Sequence, residues 1–116
     1  MAAPRIDSYH FGRIVIDGRA YTHDVIIYPD RVDGKWWRAE GHSVAAADLW
    51  DVIQARPEVL VIGQGSVSRM DVPAETRRAL EEAGIKVIAE PTGQACETYN
   101  RLAAQRRVVA ALHLTC

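Results

Sequence analysis

Apolar positions along the chain follow two rhythms, with a change near Ser43. Before it, short apolar runs alternate with turn-forming pairs. Tyr9-His10-Phe11-Gly12 leads into Arg13-Ile14-Val15-Ile16, and Asp17-Gly18 supplies residues that accept the positive φ of a hairpin turn. A second run, Tyr21 to Tyr28, has Val25-Ile26-Ile27 at its centre and closes at Pro29-Asp30. After Asp33-Gly34, the stretch Lys35-Trp36-Trp37-Arg38 reads as a third short strand. Together the three predict an antiparallel ribbon.

From Ser43 onward, helical spacing alternates with solid apolar runs. Ser43 is placed as an N-cap, with Ala46, Leu49, Trp50 and Ile53 along one face of a helix that ends before Pro57. Val59-Leu60-Val61-Ile62 follows without alternation, as suits a strand covered on both faces. It stops at Gly63-Gln64-Gly65-Ser66. Pro73 fits the first position of a second helix, with Ala79, Leu80 and Ala83 inward and Gly84 as its stop. Ile85 to Ile88 is the next strand. Thr92 caps a last helix that buries Ala95, Tyr99, Leu102 and Ala103, and Val108 to Leu112 is the final strand.

Strand-helix-strand-helix-strand implies parallel neighbours joined by right-handed crossovers. The predicted architecture is therefore α/β: a central mixed sheet with a parallel β-α-β-α-β C-terminal portion, an antiparallel N-terminal β-layer, and helices packed on the sheet. At 116 residues it makes a single domain, 1–116, large enough to bury a core without staples.

Charge narrows the partners. Fourteen Lys and Arg against fifteen Asp and Glu leave a formal charge of -1, which argues against nucleic acid, since phosphate binding needs clustered positive charge. No window approaches the roughly 20 apolar residues of a membrane span. The stretch from Met1 to Asp7 lacks the layout of a signal peptide, so a cytoplasmic location is expected. Cys96 and Cys116 are too few for a disulfide scaffold.

Parallel sheets carry ligands beyond the carboxyl ends of their strands, so Gly63, Gln64, Gly65 and Ser66 are the first place to look for chemistry. The loop opens like a dinucleotide fingerprint, with Glu90 just after the next strand. Ser68 replaces the third glycine, however, and Pro73 delays the helix. A smaller anion remains as an alternative, held by the loop N–H groups and Arg69. His42, Glu90 and Asn100 are candidate walls, and the Asn100 amide is equally suited to tying the last helix to a loop. The histidines form no recognised ligand pair, so no metal or cofactor is expected. Cys96 near a helix start suits either a thiolate or, preferably, a small apolar residue packed by Tyr99. No catalytic residue is assigned and an enzyme is not favoured. Trp36, Trp37 and Arg38 are interface candidates. Neighbours on a strand face opposite ways, so one Trp fills the core while the other is either exposed beside Arg38 or covered by the first helix, where Trp50 lies.

A set of motifs spans the chain: Tyr9-His10-Phe11-Gly12, Asp24-Val25-Ile26-Ile27, Trp37-Arg38, Gly41-His42, Val59 through Gly65, Val72-Pro73, Thr92-Gly93-Gln94-Ala95, Tyr99-Asn100 and His113-Leu114-Thr115-Cys116. In these it resembles the Mth-type family of small α/β domains of unknown function. Relatives in that family include an adipogenesis-associated protein and a mitochondrial factor that helps assemble respiratory complex I. The resemblance implies a central mixed sheet with an extra β-layer, and a role as an assembly or partner-binding factor. The function expected is a non-enzymatic protein-binding or assembly factor with an unidentified protein partner, linked by the resemblance to respiratory complex assembly. The alternative is a small-molecule or anion-binding protein, or an enzyme, at Gly63–Ser66.

Overall fold

A computed structural model describes residues 2–116 and contains two sheets. The first is antiparallel, with β1 (Ile6–His10), β2 (Arg13–Ile16) and β3 (Arg19–Tyr21) in that order. The second contains β4 (Val25–Ile27), β5 (Val32–Asp33), β6 (Val59–Gln64), β7 (Lys86–Glu90) and β8 (Val108–His113), in the order β5-β4-β8-β6-β7. Its β8, β6 and β7 are parallel, while β4 runs antiparallel to β8 and to β5. A 3-10 turn at Ala46–Leu49 leads into α1 (Trp50–Ala55), and α2 (Ala74–Glu82) and α3 (Thr92–Ala103) connect the parallel strands. The α/β architecture with a mixed central sheet and an antiparallel N-terminal layer is the one the spacing predicts.

Alternation in the second sheet divides the core in two. Val25, Ile27, Val59, Val61, Val108, Ala110 and Leu112 face the first sheet and α3, where Ile6, Ile14, Ile16, Ala95 and Tyr99 meet them. Ile26, Leu60, Ile62, Val109 and Ala111 face the other way, against Val44, Leu49, Val52 and Leu80. All six residues of β8 are buried, which explains their nearly continuous apolar run.

The N-terminal third departs from the predicted ribbon. Tyr21 to Tyr28 is not one strand: the polar stretch Thr22-His23-Asp24 carries the chain out of the first sheet at β3 and into the second at β4. Lys35–Arg38 is not a strand either. It lies outside both sheets with one backbone bond, from Trp36 N–H to Asp24 O, and Val32–Asp33 pairs with β4 in its place. Ser43 does not cap a helix; it bridges Glu40 and Asp71, while the Asp48 carboxylate takes the Ala45 N–H at 2.8 Å. Trp50 points outward rather than inward, at 63% exposure. The 3-10 turn has three residues per turn, so Leu49 and Val52 share the buried face instead. Ala83 is exposed because α2 ends at Glu82. Thr92 opens α3 without capping it, since its hydroxyl is used elsewhere.

Candidate functional site

Antiparallel pairing of β4 with β8, in the register Val25↔Leu112, places Asp24 at the start of one strand beside His113 at the end of the other. Asp24 Oδ2 accepts from His113 Nδ1 at 2.8 Å and from Arg38 Nη1 at 2.9 Å, and its Oδ1 accepts the Leu114 N–H at 2.8 Å. Arg38 Nη2 donates to Gly41 O at 2.9 Å, and the guanidinium lies 4.6 Å above the Trp36 ring. That aromatic face covers Arg38 Nε, which is buried without a hydrogen-bond partner. The side chains of Arg38, His113 and Asp24 are 5%, 8% and 16% exposed.

Burial pushes the Asp24 carboxyl upward, but the bonds from His113, the Leu114 N–H and Arg38 outweigh it and hold the carboxyl below its ordinary value of 3.8. Arg38 Nη2 and Asp24 Oδ2 both approach His113 Nδ1, at 3.1 and 2.8 Å. A bare Nδ1 would set two lone pairs against each other at the shorter distance, so the network assigns the proton to Nδ1. Nε2 then faces Thr115 Oγ1 at 3.5 Å, and the His42 ring stands edge-on at 6.2 Å. A carboxylate-oriented imidazole is the arrangement of a general base, but a base must reach its substrate's proton. At 8% exposure, His113 reaches its own chain.

The strand-exit loop closes the site from the other side. The buried Thr92 hydroxyl donates to His113 O at 2.6 Å and accepts the Gly65 N–H at 2.8 Å, stitching the ends of β6 and β8 to the start of α3. A Cβ at Gly63 would meet Thr92 Oγ1 at 2.8 Å and Leu112 Cδ2 at 2.9 Å, so this strand end admits glycine alone without a shift. Gly65 has φ +100°, and a Cβ there would strike Cys116 O and lie 2.8 Å from Thr115 O. The segment Thr115-Cys116 lies across the loop: Ser66 N–H donates to Thr115 O at 2.7 Å and Arg69 N–H to Cys116 O at 3.0 Å. Ser68 N–H goes to Gly65 O, Met70 N–H to Gln64 O, and the Gln64 side chain to Met70 O. The loop N–H groups considered for an anion are thus engaged by the protein itself.

The other sequence candidates scatter. His42 joins the cluster, with Nε2 4.0 Å from Cys116 Sγ. Glu90 ends β7, where its Oε1 accepts from Thr98 Oγ1 at 2.6 Å. Asn100 is on the far part of α3, exchanging two bonds with Ile6: its Oδ1 accepts the Ile6 N–H at 3.0 Å and its Nδ2 donates to Ile6 O at 2.8 Å. It ties the helix to β1. Trp36 is buried and donates from Nε1 to Asp48 O, Trp37 is 76% exposed, and Arg38 is internal. Cys96 is in the core, where burial pushes its thiol up to about 12. It is no thiolate.

No local spacing joins Asp24 to His113, because 89 residues separate them. All four histidines reach this end. His23 precedes Asp24, His42 faces His113, and His10 leads into the turn whose Gly12 N–H donates to Leu114 O at 2.9 Å. Among the described residues, no group of three His, Cys, Asp or Glu is placed to hold a metal. No helix is long and apolar enough to cross a membrane among them. A cleft of about 690 Å³ is at the opposite end of the sheet, lined by Tyr28, Asp30, Arg31, Asp51 and Arg107 among others. Its four charged side chains named here are all exposed.

The model of the family described as "Protein of unknown function (DUF498/DUF598)" matches residues 6–113. The chain belongs to this family. Among curated relatives of this DUF498 chain is the protein named NADH dehydrogenase [ubiquinone] 1 alpha subcomplex assembly factor 3. The Danio rerio form is 33% identical over 78 residues, 65% of this chain and 44% of that protein. The Homo sapiens form is 28% identical over 109 residues, 91% of this chain and 58% of that protein. The chain therefore spans about half the length of these relatives. A Bordetella parapertussis crystal structure is similar at 31% identity and TM-score 0.82, covering 97% of this chain and 96% of that one. A Bordetella pertussis solution structure, described as a Mth938-like domain, is similar at 25% identity and TM-score 0.71, covering 96% and 85%. The resemblance to the Mth-type family is thus a family membership.

Proposed function

We propose that this chain is a protein-binding assembly module that seats a partner subunit on the carboxyl end of its central sheet. One observation carries the reading. Among the described residues, three of the four well-exposed large apolar residues, Phe11, Trp37 and Val67, at 65%, 76% and 63% exposure, adjoin residues bonded to the end of the sheet that holds the Asp24–Arg38–His113 cluster. Each is tied there through a bonded neighbour: Gly12 N–H to Leu114 O, Arg38 to Asp24, and Ser66 N–H to Thr115 O. A floor that is hydrogen-bonded within the chain except at Arg38 Nε, with exposed aromatic and aliphatic anchors beside it, suits protein docking, where a few buried apolar side chains supply most of the affinity. The relatives named as NADH dehydrogenase 1 alpha subcomplex assembly factors support a subunit of a respiratory complex as the partner class.

The alternative, an anion or small metabolite at Gly63–Ser66 walled by Arg69, His42, Glu90 and Asn100, has less support. The loop N–H groups are spent, and Glu90 and Asn100 are bonded to Thr98 and Ile6. The test is photo-crosslinking in the native cell, with benzoylphenylalanine at Trp37, at Val67, and at Arg78 on α2 as a control. Partner capture from positions 37 and 67 but not 78 is expected, with loss of co-purification in Trp37→Ala. Equal capture from all three positions, or co-purification unchanged by Trp37→Ala, overturns the reading.

A further inference from the structure

We infer that β7 is a self-complementary edge through which two copies of this chain pair antiparallel, making one continuous sheet across a twofold axis. In the order β5-β4-β8-β6-β7, β7 ends the sheet. The other edges are short or occupied. β5 has two residues, β3 has three, and β1 is clamped at Ile6 by the Asn100 amide and carries a register shift between Ile6 and Ser8. β7 is regular over five residues, in unbroken register with β6. A long regular edge offers unpaired backbone groups to another strand.

The orientation of those groups is fixed. Lys86 N–H donates to Glu58 O at 3.0 Å, so the backbone of Lys86 points toward β6. Backbone direction alternates along a strand, so Ile88 and Glu90 also point inward while Val87 and Ala89 point out. A side chain that reaches this outer edge agrees, since Arg77 Nη1 donates to Val87 O at a long 3.4 Å. An antiparallel second copy centred on Ile88 sets Val87 opposite Ala89 and Ala89 opposite Val87. Both are hydrogen-bonded pairs that use these outward groups. The pairs between them are Ile88 with Ile88 and, at each end, Lys86 with Glu90. Those are non-hydrogen-bonded positions, where side chains approach most closely.

The sequence Lys-Val-Ile-Ala-Glu is thus complementary to its own reverse: opposite charges at the ends and a β-branched pair on the axis. Lys86 is exposed and makes no ion pair among the described residues. Glu90 has Oε1 held by Thr98, which orients the carboxylate and leaves Oε2 for the partner's lysine. Such a twofold contact uses the same patch on both copies and closes on itself. Arg77 must release Val87 O to admit the second strand, and at 3.4 Å it holds that carbonyl weakly.

Sedimentation velocity over a concentration series, from micromolar to millimolar, tests this. The protein is expected to sediment as a concentration-dependent dimer. Lys86→Glu places two like-charge pairs across the axis and is expected to weaken dimerisation about tenfold or more. Adding Glu90→Lys to it reverses both pairs and restores the dimer. Ala89→Pro removes an N–H that β6 does not use and abolishes the dimer, with circular dichroism confirming that the monomer remains folded. A monomer at every concentration, a dimer indifferent to Lys86→Glu, or a double swap that fails to rescue in a folded protein overturns the inference.

Discussion

At the carboxyl end of β6 and β8, the Asp24 carboxylate is 16% exposed and is held by His113, Arg38 and a backbone N–H. At the amino end of the same strands, Asp30 and Arg31 also pair, at 3.0 Å, but with 69% and 58% exposure. The second end holds an open cleft, whereas the first buries its ion pair. Exposed pairs gain little, because water screens them and two long side chains must be immobilised. A buried pair costs desolvation to form, and losing one partner strands the other's charge in a medium that cannot solvate it. The difference teaches that bonding, rather than volume, marks the organised end of this molecule.

The hardest way to break the contrast is to remove one partner at each end. Asp24→Ala is expected to cost about 3–5 kcal/mol in urea denaturation, because Arg38 then lies buried without its counter-charge. Equal losses for Asp24→Ala and an amino-end control would dissolve the distinction. Next come the changes that test the loop as part of the same rigid floor. Gly65→Ala forces a Cβ into a left-handed backbone position against residues 115 and 116, and Thr92→Val deprives the Gly65 N–H and His113 O of their bridge. Each is expected to cost ~1–3 kcal/mol, read as a lower denaturation midpoint.

Acid titration gives a smaller effect with a definite sign. The folded Asp24 carboxyl is held below 3.8, so the unfolded chain binds its proton first. Its contribution to stability is complete at neutral pH and is lost as pH falls below 3.8 through the lowered folded value. Stability curves of wild type and Asp24→Asn, measured between neutral and acid pH, should therefore converge at low pH; parallel curves would refute the assignment. Smallest of all, Asp30→Asn at the amino end is expected to change stability by no more than about 0.5 kcal/mol.

Legibility followed locality. From Val59 to His113 each element carries its own periodicity and its own stop signal, and the parallel arrangement follows from the alternation of strand and helix. Earlier in the chain, the signal that separates β3 from β4 is three polar residues, Thr22-His23-Asp24, inside what otherwise reads as one strand. Trp36 and Trp37 imitate a strand because one is buried and the other exposed, yet they obtain that alternation from an extended segment outside both sheets. The glycine loop is legible from its residues; a tie from the Asn100 amide is legible as well, but to a loop, whereas the amide meets strand β1 at Ile6. The central cluster is not legible. Its members come from a strand entrance, an irregular segment and a strand exit, separated by 14, 75 and 89 residues, and no local pattern encodes such a meeting.

The position of β8 has a consequence for how the protein is made. It is the last of the described strands in sequence, yet it lies in the middle of the sheet, between β4 and β6. Until it is synthesised, a nascent chain holds two separate half-sheets whose facing edges, Val25–Ile27 and Val59–Ile62, are wholly apolar. These are the edges most prone to mispairing with other chains. When β8 arrives it fills the gap and brings His113 Nδ1 and the Leu114 N–H to Asp24, so the sealing of the sheet and the completion of the buried carboxylate's hydrogen bonds are one event.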